Sequence, residues 1–293
     1  MTFRRLARAV ALGLMILCAP AAAQHWQTGR SPADLDPPLK FSKLNIQTVD
    51  SVRVAAWYLP PDGGATPAPG VLVLPGDGDT MEDRLDVVSN LARRGYAVIT
   101  FDARGRGASD PHLPPPNAYV TLGDLEDAHA ALDILLMTQG VDTTRVAVYG
   151  EGRGAYAGWA LVRARPVVRA LVSVSCPVNM QELQVVHDRH GDGARVERPK
   201  EWQRKWEPDK VLNRWNGATL FIGGTRDLVT PAWMAEELHK KCTEAKELWI
   251  IEGADHSEAR SPRKVAGEAY WDRVTAYLDR ELSRPPHKDW PKR

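Results

Sequence analysis

Cysteine is scarce in this 293-residue chain, which holds three. Cys18 falls in the N-terminal apolar stretch, leaving Cys176 and Cys242 for the rest. Two cysteines cannot build the multi-bridge framework of a small stapled domain, so stability has to come from a packed core. In an oxidising compartment the two could close one disulfide; the alternative is a pair of buried structural thiols. A one-sided charge is also lacking. The 38 Lys and Arg nearly cancel the 37 Asp and Glu, and the formal charge is +1, which removes the electrostatic argument for a nucleic-acid partner. No apolar run approaches the roughly 20 residues of a membrane-spanning helix, so stable membrane insertion is not expected. Zinc, phosphate-loop and dinucleotide signatures are missing too, since Gly105-Arg106-Gly107 and Gly150-Glu151-Gly152 each lack the required continuation. His187-Asp188-Arg189-His190-Gly191-Asp192 offers metal-ligand residue types but no further ligands at useful spacing, and it reads as a solvated polar loop. No metal and no cofactor are expected.

The first 23 residues have the three parts of an export leader. Arg4, Arg5 and Arg8 are basic, Ala9 to Leu17 is apolar, and Ala21-Ala22-Ala23 supplies small residues for cleavage. A lipid anchor on Cys18 is disfavoured because Leu17, not a small residue, precedes it. The expected product starts near Gln24 and is periplasmic or secreted. Losing three arginines and no acid takes its formal charge from +1 to −2.

After a polar, proline-bearing lead-in over 24–43, one α/β domain is expected over 44–283, with 284–293 as a solvated tail. Leu44 to Val49 and Val52 to Leu59 read as a hairpin of antiparallel strands. Apolar runs then alternate with helical patterns. Strands are predicted near 71–74, 96–101, 145–149, 168–174, 218–223 and 247–251. Helices are predicted near 81–94, 119–138, 154–164, 231–242 and 264–282. In the second helix Leu122, Leu125, Ala128, Leu132 and Leu135 recur at helical spacing. This alternation implies a mainly parallel sheet with helices on both faces, whose ligands bind beyond the carboxyl ends of the strands. The charged stretch 178–216, with Trp202, Trp206 and Trp215, interrupts the alternation as a small cap insertion. Its tryptophans either line a pocket or bury the insertion against the body.

Five motifs sit at the predicted strand ends. Val71-Leu72-Val73-Leu74-Pro75-Gly76-Asp77-Gly78 is a strand breaking into a Gly-rich loop, and Asp102-Ala103-Arg104-Gly105-Arg106-Gly107-Ala108-Ser109 follows the next strand. Val146-Ala147-Val148-Tyr149-Gly150-Glu151-Gly152-Arg153-Gly154 is a strand-turn-helix junction. Gly224-Thr225-Arg226-Asp227 and Glu252-Gly253-Ala254-Asp255-His256 close two later strands. In this order the set resembles the α/β-hydrolase superfamily, in which nucleophile, acid and histidine follow one another along the chain. The stretch from Lys246 to Ser257 also resembles exported bacterial serine aminopeptidase-like or lipase-like hydrolases. The superfamily resemblance covers roughly residues 45 to 283. It implies an α/β-hydrolase fold, Asp227 and His256 as triad acid and base, an oxyanion hole from the backbone N–H groups of Asp77 and Arg153, and a small ester, amide or related ligand.

The elbow itself departs from the pattern. Where G-x-S-x-G has its serine, this chain has Gly152, which has no atom to attack with. In a comparable triad, loss of the serine costs about 10⁶ in turnover and leaves roughly 10³ to 10⁴ over water. Ordinary serine catalysis is therefore not expected. Three readings stay open. The chain is a pseudo-hydrolase that binds a small ligand or, through its surface, a protein partner; or His256 with Asp227 activates a water directly; or another residue attacks, with Glu151, Ser175 and Cys176 as candidates. Glu151 is also a pocket candidate. Together with Asp77, Asp79, Glu82 and Asp83 it would favour a cationic ligand.

Overall fold

The computed structural model describes residues 29–285 apart from residue 65. The leader, the cleavage site and most of the 284–293 tail lie outside the described residues. Eight strands form one sheet: β1 (Ser42–Gln47), β2 (Arg53–Leu59), β3 (Ala68–Val73), β4 (Ala97–Phe101), β5 (Val141–Glu151), β6 (Val168–Val174), β7 (Ala218–Gly224) and β8 (Lys246–Ile251). Their spatial order is β1-β2-β4-β3-β5-β6-β7-β8. β2 pairs antiparallel with β1 and β4, and all other pairs are parallel. The predicted hairpin and the predicted mainly parallel sheet are both present.

Central strands read as continuous apolar runs because both of their faces are covered. Successive side chains point to opposite faces. Leu72, Val148, Leu171 and Phe221 therefore join one core with α2 (Leu122–Met137), α3 (Arg153–Ala164) and α6 (Ala232–Lys241). Val71, Val73, Ala147, Tyr149, Val172 and Ile222 join the other, under α1 (Leu85–Arg93) and α8 (Glu268–Ser283).

Several boundaries differ from expectation for local reasons. The helix expected from 119 starts three residues later because Thr121 is its N-cap: the Thr121 hydroxyl accepts from Asp124 N–H at 3.2 Å, and Thr121 N–H donates back to the Asp124 carboxylate at 2.7 Å. The helix expected over 264–282 is two pieces, α7 (Pro262–Ala266) and α8, broken at Gly267, whose φ is 57°. The insertion is ordered. It holds α4 (Met180–His190), α5 (Pro208–Val211) and two short 3₁₀ turns. Of the segment from His187 to Asp192, read as a polar loop, residues 187–190 form the end of α4 and Gly191 caps it, while the His187 Nδ1 meets the Asp192 carboxylate beyond the helix at 2.7 Å.

The tryptophans fasten this insertion to the body. Trp202 is buried among apolar side chains, with its ring 6.2 Å from Tyr156 of α3 and 5.4 Å from Trp206. Trp215 is also buried and donates from Nε1 to the Thr219 hydroxyl at 3.0 Å. Cys176 and Cys242 are separate buried thiols.

Candidate active site

β5 ends at Glu151, the chain turns at Gly152, and α3 begins at Arg153. The turn is tight enough to dictate its flanking residues. A Cβ on Gly150 would sit 2.5 Å from the backbone of Gly154 and Ala155, and one on Gly154 would sit 2.7 Å from the Pro75 carbonyl oxygen. Gly152 N–H donates to the Val174 carbonyl at 2.9 Å, which ties the turn to the end of β6. Gly152 itself has φ 52° and ψ −117°, a conformation that side-chain-bearing residues adopt only under strain. The elbow geometry is complete without its serine.

His256 lies in the loop after β8, and Asp227 in the loop after β7. The His256 Nδ1 is 3.0 Å from the Asp227 Oδ2. The other Asp227 oxygen accepts from the N–H groups of Val229 and Thr230 at 3.0 and 2.8 Å, while the Thr230 hydroxyl donates to Oδ2 at 2.8 Å. Burial alone would raise the Asp227 carboxyl, but the bond to His256, that residue's charge and the Thr230 donors hold it below its ordinary range. For His256, burial pulls downward. The bond to Asp227, its charge and the charges of Asp77 and Glu151 outweigh that and raise it. The far edge of the ring faces the elbow: a Cβ on Gly152 would lie 3.7 Å from the His256 Nε2.

Asp77, in the loop after β3, completes the rim. Its Oδ2 would be 3.3 Å from the same Cβ. Arg153 opens α3, so its N–H has no acceptor within the helix, as an oxyanion donor requires. Its guanidinium is turned to Asp124 at 2.6 Å. Gly152, Asp77 and His256 line a cavity of about 250 Å³ with Ser175, Glu258 and Pro262. The cavity sits beyond the carboxyl ends of β5 and β6, where the sheet topology predicts a ligand.

The alternative nucleophiles are placed differently. Glu151 reaches the cavity, but one of its oxygens accepts from Arg84 and Arg263 and the other from the Tyr149 hydroxyl. Burial would raise this carboxyl, yet the two guanidiniums bring it down to about 2. A carboxylate held on both oxygens braces the back of the elbow and is a poor attacker. Ser175 lines the cavity with φ 46° and a buried Oγ that has no hydrogen-bond partner among the described residues. Cys176 is buried off the cavity, with its thiol pushed up by burial. Trp202, Trp206 and Trp215 do not line the cavity.

Of the acids expected to charge the pocket, Asp77, Asp79 and Glu151 line it, whereas Asp83 accepts from Thr80 N–H at 2.7 Å and Glu82 lies outside. Arg84 pairs with both Asp79 and Glu151. No local pattern announces this neutralisation, because Arg84 and Arg263 lie 67 and 112 residues from Glu151.

Strand order, strand-end loops and an acid–histidine pair facing an elbow define an α/β-hydrolase-fold protein. Solved structures agree. A Pyrococcus furiosus esterase, Pf2001, superposes with a TM-score of 0.68 at 20% identity, over 87% of this chain and 97% of its own. A Pyrococcus horikoshii acylaminoacyl peptidase superposes at 0.68 and 15% identity, over 86% of this chain and 43% of its own. The family model of the prolyl oligopeptidase family matches residues 84–284, and the chain belongs to that family. It is also similar to the uncharacterized protein Rv2307c of Mycobacterium tuberculosis, 27% identical over 80% of this chain and 77% of that one. With the Arabidopsis thaliana alpha/beta hydrolase domain-containing protein WAV2 it shares 23% identity, over 85% and 82% respectively.

Proposed function

We propose that this protein is an exported member of the prolyl oligopeptidase family that binds a small ester- or amide-like ligand beside Gly152 and has given up the acyl-serine route. The observation that carries the reading is an Asp227–His256 pair with its bond intact, facing an open cavity at an elbow that holds no nucleophile. Family membership and the esterase and peptidase neighbours support an ester or amide as the ligand class. The leader-like residues 1–23 support export.

Any turnover then runs through water. Removing the serine side chain leaves space next to His256, and the retained pair can handle the proton of a water placed there. A panel of p-nitrophenyl esters and amides, read as turnover and as thermal stabilisation, tests this. Ligands should raise the melting temperature, and any hydrolysis should vanish in His256→Ala. Hydrolysis that survives His256→Ala would place the chemistry elsewhere, and a panel with neither stabilisation nor turnover would remove the ligand class.

A further inference from the structure

We propose that Asp77 is a second acid–base residue of this site: its carboxylate and the His256 ring flank the space left by the missing serine and activate a water there for attack on an ester or amide carbonyl. The inference rests on the water route above and assigns its proton acceptor. A Cβ on Gly152 would have the Asp77 Oδ2 at 3.3 Å, the His256 Nε2 at 3.7 Å and its Cε1 at 3.8 Å as its three nearest neighbours. The space beside the elbow is therefore bounded by one carboxylate and one imidazole, both of which line the open cavity.

Asp77 differs from the other carboxylates of the cavity. Glu151 is held by Arg84 and Arg263, Asp79 by Arg84, Glu258 by Arg263, and Asp255 by Arg260. Asp77 makes no hydrogen bond or ion pair with any described residue. The charged groups around it are Arg153, already bonded to Asp124, with His256, Asp79 and Arg84. Burial, the largest influence, raises its carboxyl, which brings a carboxylate closer to the basicity a general base needs.

His256 is the complementary group on the other side of the space. Its ring faces Asp227 at Nδ1, with the charges of Asp77 and Glu151 nearby, and these raise it despite burial. This environment favours the protonated form of the ring, which has no lone pair with which to accept a proton but is a good donor. The roles follow from that. The Asp77 carboxylate takes a proton from water as the water oxygen bonds to the carbonyl carbon, and the carbonyl electron pair moves onto its oxygen, facing the Arg153 and Asp77 N–H groups. Collapse of the tetrahedral intermediate breaks the bond to the alcohol or amine, which leaves with the proton of His256. Asp77 is then protonated and His256 neutral, and one proton passed from the first to the second restores the starting state. The sum is ester plus water giving acid plus alcohol.

The test uses p-nitrophenyl acetate and the full mature chain. In the wild-type background Asp77→Asn should lower kcat by about 10²- to 10⁴-fold with little change in KM, and remove the acidic limb of the pH–rate profile. In a Gly152→Ser background the same change should raise activity at neutral pH, because losing the Asp77 charge frees the His256 lone pair for the serine route. A purely structural role would lower both. Independently of turnover, the His256 titration followed by NMR should move to lower pH in Asp77→Asn. Wild-type hydrolysis that needs His256 but is unaffected by Asp77→Asn would overturn the assignment and leave the water route standing. An unmoved His256 titration would overturn the juxtaposition, and a wild-type protein without hydrolysis would overturn both.

Discussion

At the elbow, position 152 carries glycine where the G-x-S-x-G pattern has serine. Gly152 holds the backbone conformation of a nucleophile elbow, and a Cβ placed there meets nothing nearer than 3.3 Å. Its nearest contact is the tip of the Asp77 side chain, which can rotate away. Gly152→Ser should therefore fold, with a stability loss of about 1–3 kcal/mol for a side chain at positive φ. It should also gain hydrolysis of p-nitrophenyl acetate over wild type above the pH at which His256 gives up its proton, where the neutral ring can take the hydroxyl proton. A folded variant with no gain would show that the dyad is no longer aligned with the elbow. The positions of Gly152, Asp227 and His256 were legible in the sequence because each lies in a short motif at a strand end, where local chain geometry fixes the turn. The Asp77 side chain was legible only as a charge near the pocket. Its approach to the vacated position depends on how the β3 loop folds against the elbow, and no local pattern encodes that.

At the scale of elements, the elbow is braced from behind by an ion-pair cluster. Glu151, the last residue of β5, accepts from Arg84, which immediately precedes α1, and from Arg263 in α7. Both arginine side chains are nearly inaccessible, at 7% and 1% exposure. Glu151→Gln leaves two buried guanidiniums short of a counter-charge and should cost about 3 kcal/mol, at the lower end for a broken buried pair because Asp79, Asp86 and Glu258 still contact them. Because the folded protein depresses this carboxyl, its contribution is present above the unfolded value of 4.5 and is lost as pH falls toward about 2. The difference in melting temperature between wild type and Glu151→Gln should shrink steadily from pH 5 to pH 2. A constant difference would mean that the loss is packing, not charge. Helices with a clear apolar repeat and a cap, such as α2, were legible to within a few residues. The break at Gly267 was not, since a glycine inside a helical pattern can equally continue the helix at a cost of about 1 kcal/mol.

Across the whole molecule, the alternation of apolar runs and amphipathic stretches was enough to predict the sheet, because strands covered on both faces have a distinctive composition. The insertion over 178–216 was harder to read. In α4 only Met180, Leu183 and Val186 form an apolar face, in a stretch otherwise dominated by polar residues, and the role of Trp202 depends on Tyr156, 46 residues away in sequence. Since Trp202 docks the insertion without lining the cavity, Trp202→Ala should cost about 3–5 kcal/mol in denaturant unfolding. Ligand stabilisation should persist wherever the variant is folded. Loss of the ligand response with unchanged stability would instead make Trp202 part of the pocket. Export is testable at the same scale, since intact-mass analysis of periplasmic protein should give a chain beginning near Gln24. A product that retains Met1 would remove the leader assignment.

Retention of the acid–histidine pair with loss of the acyl-serine route is read out by intact mass after treatment with a fluorophosphonate, run side by side on wild type and Gly152→Ser. The reagent needs an activated serine oxygen. Wild type should stay unmodified, and the variant should gain one phosphonyl group, mapped to position 152. Stoichiometric labelling of any serine in the wild type would contradict the loss of that route.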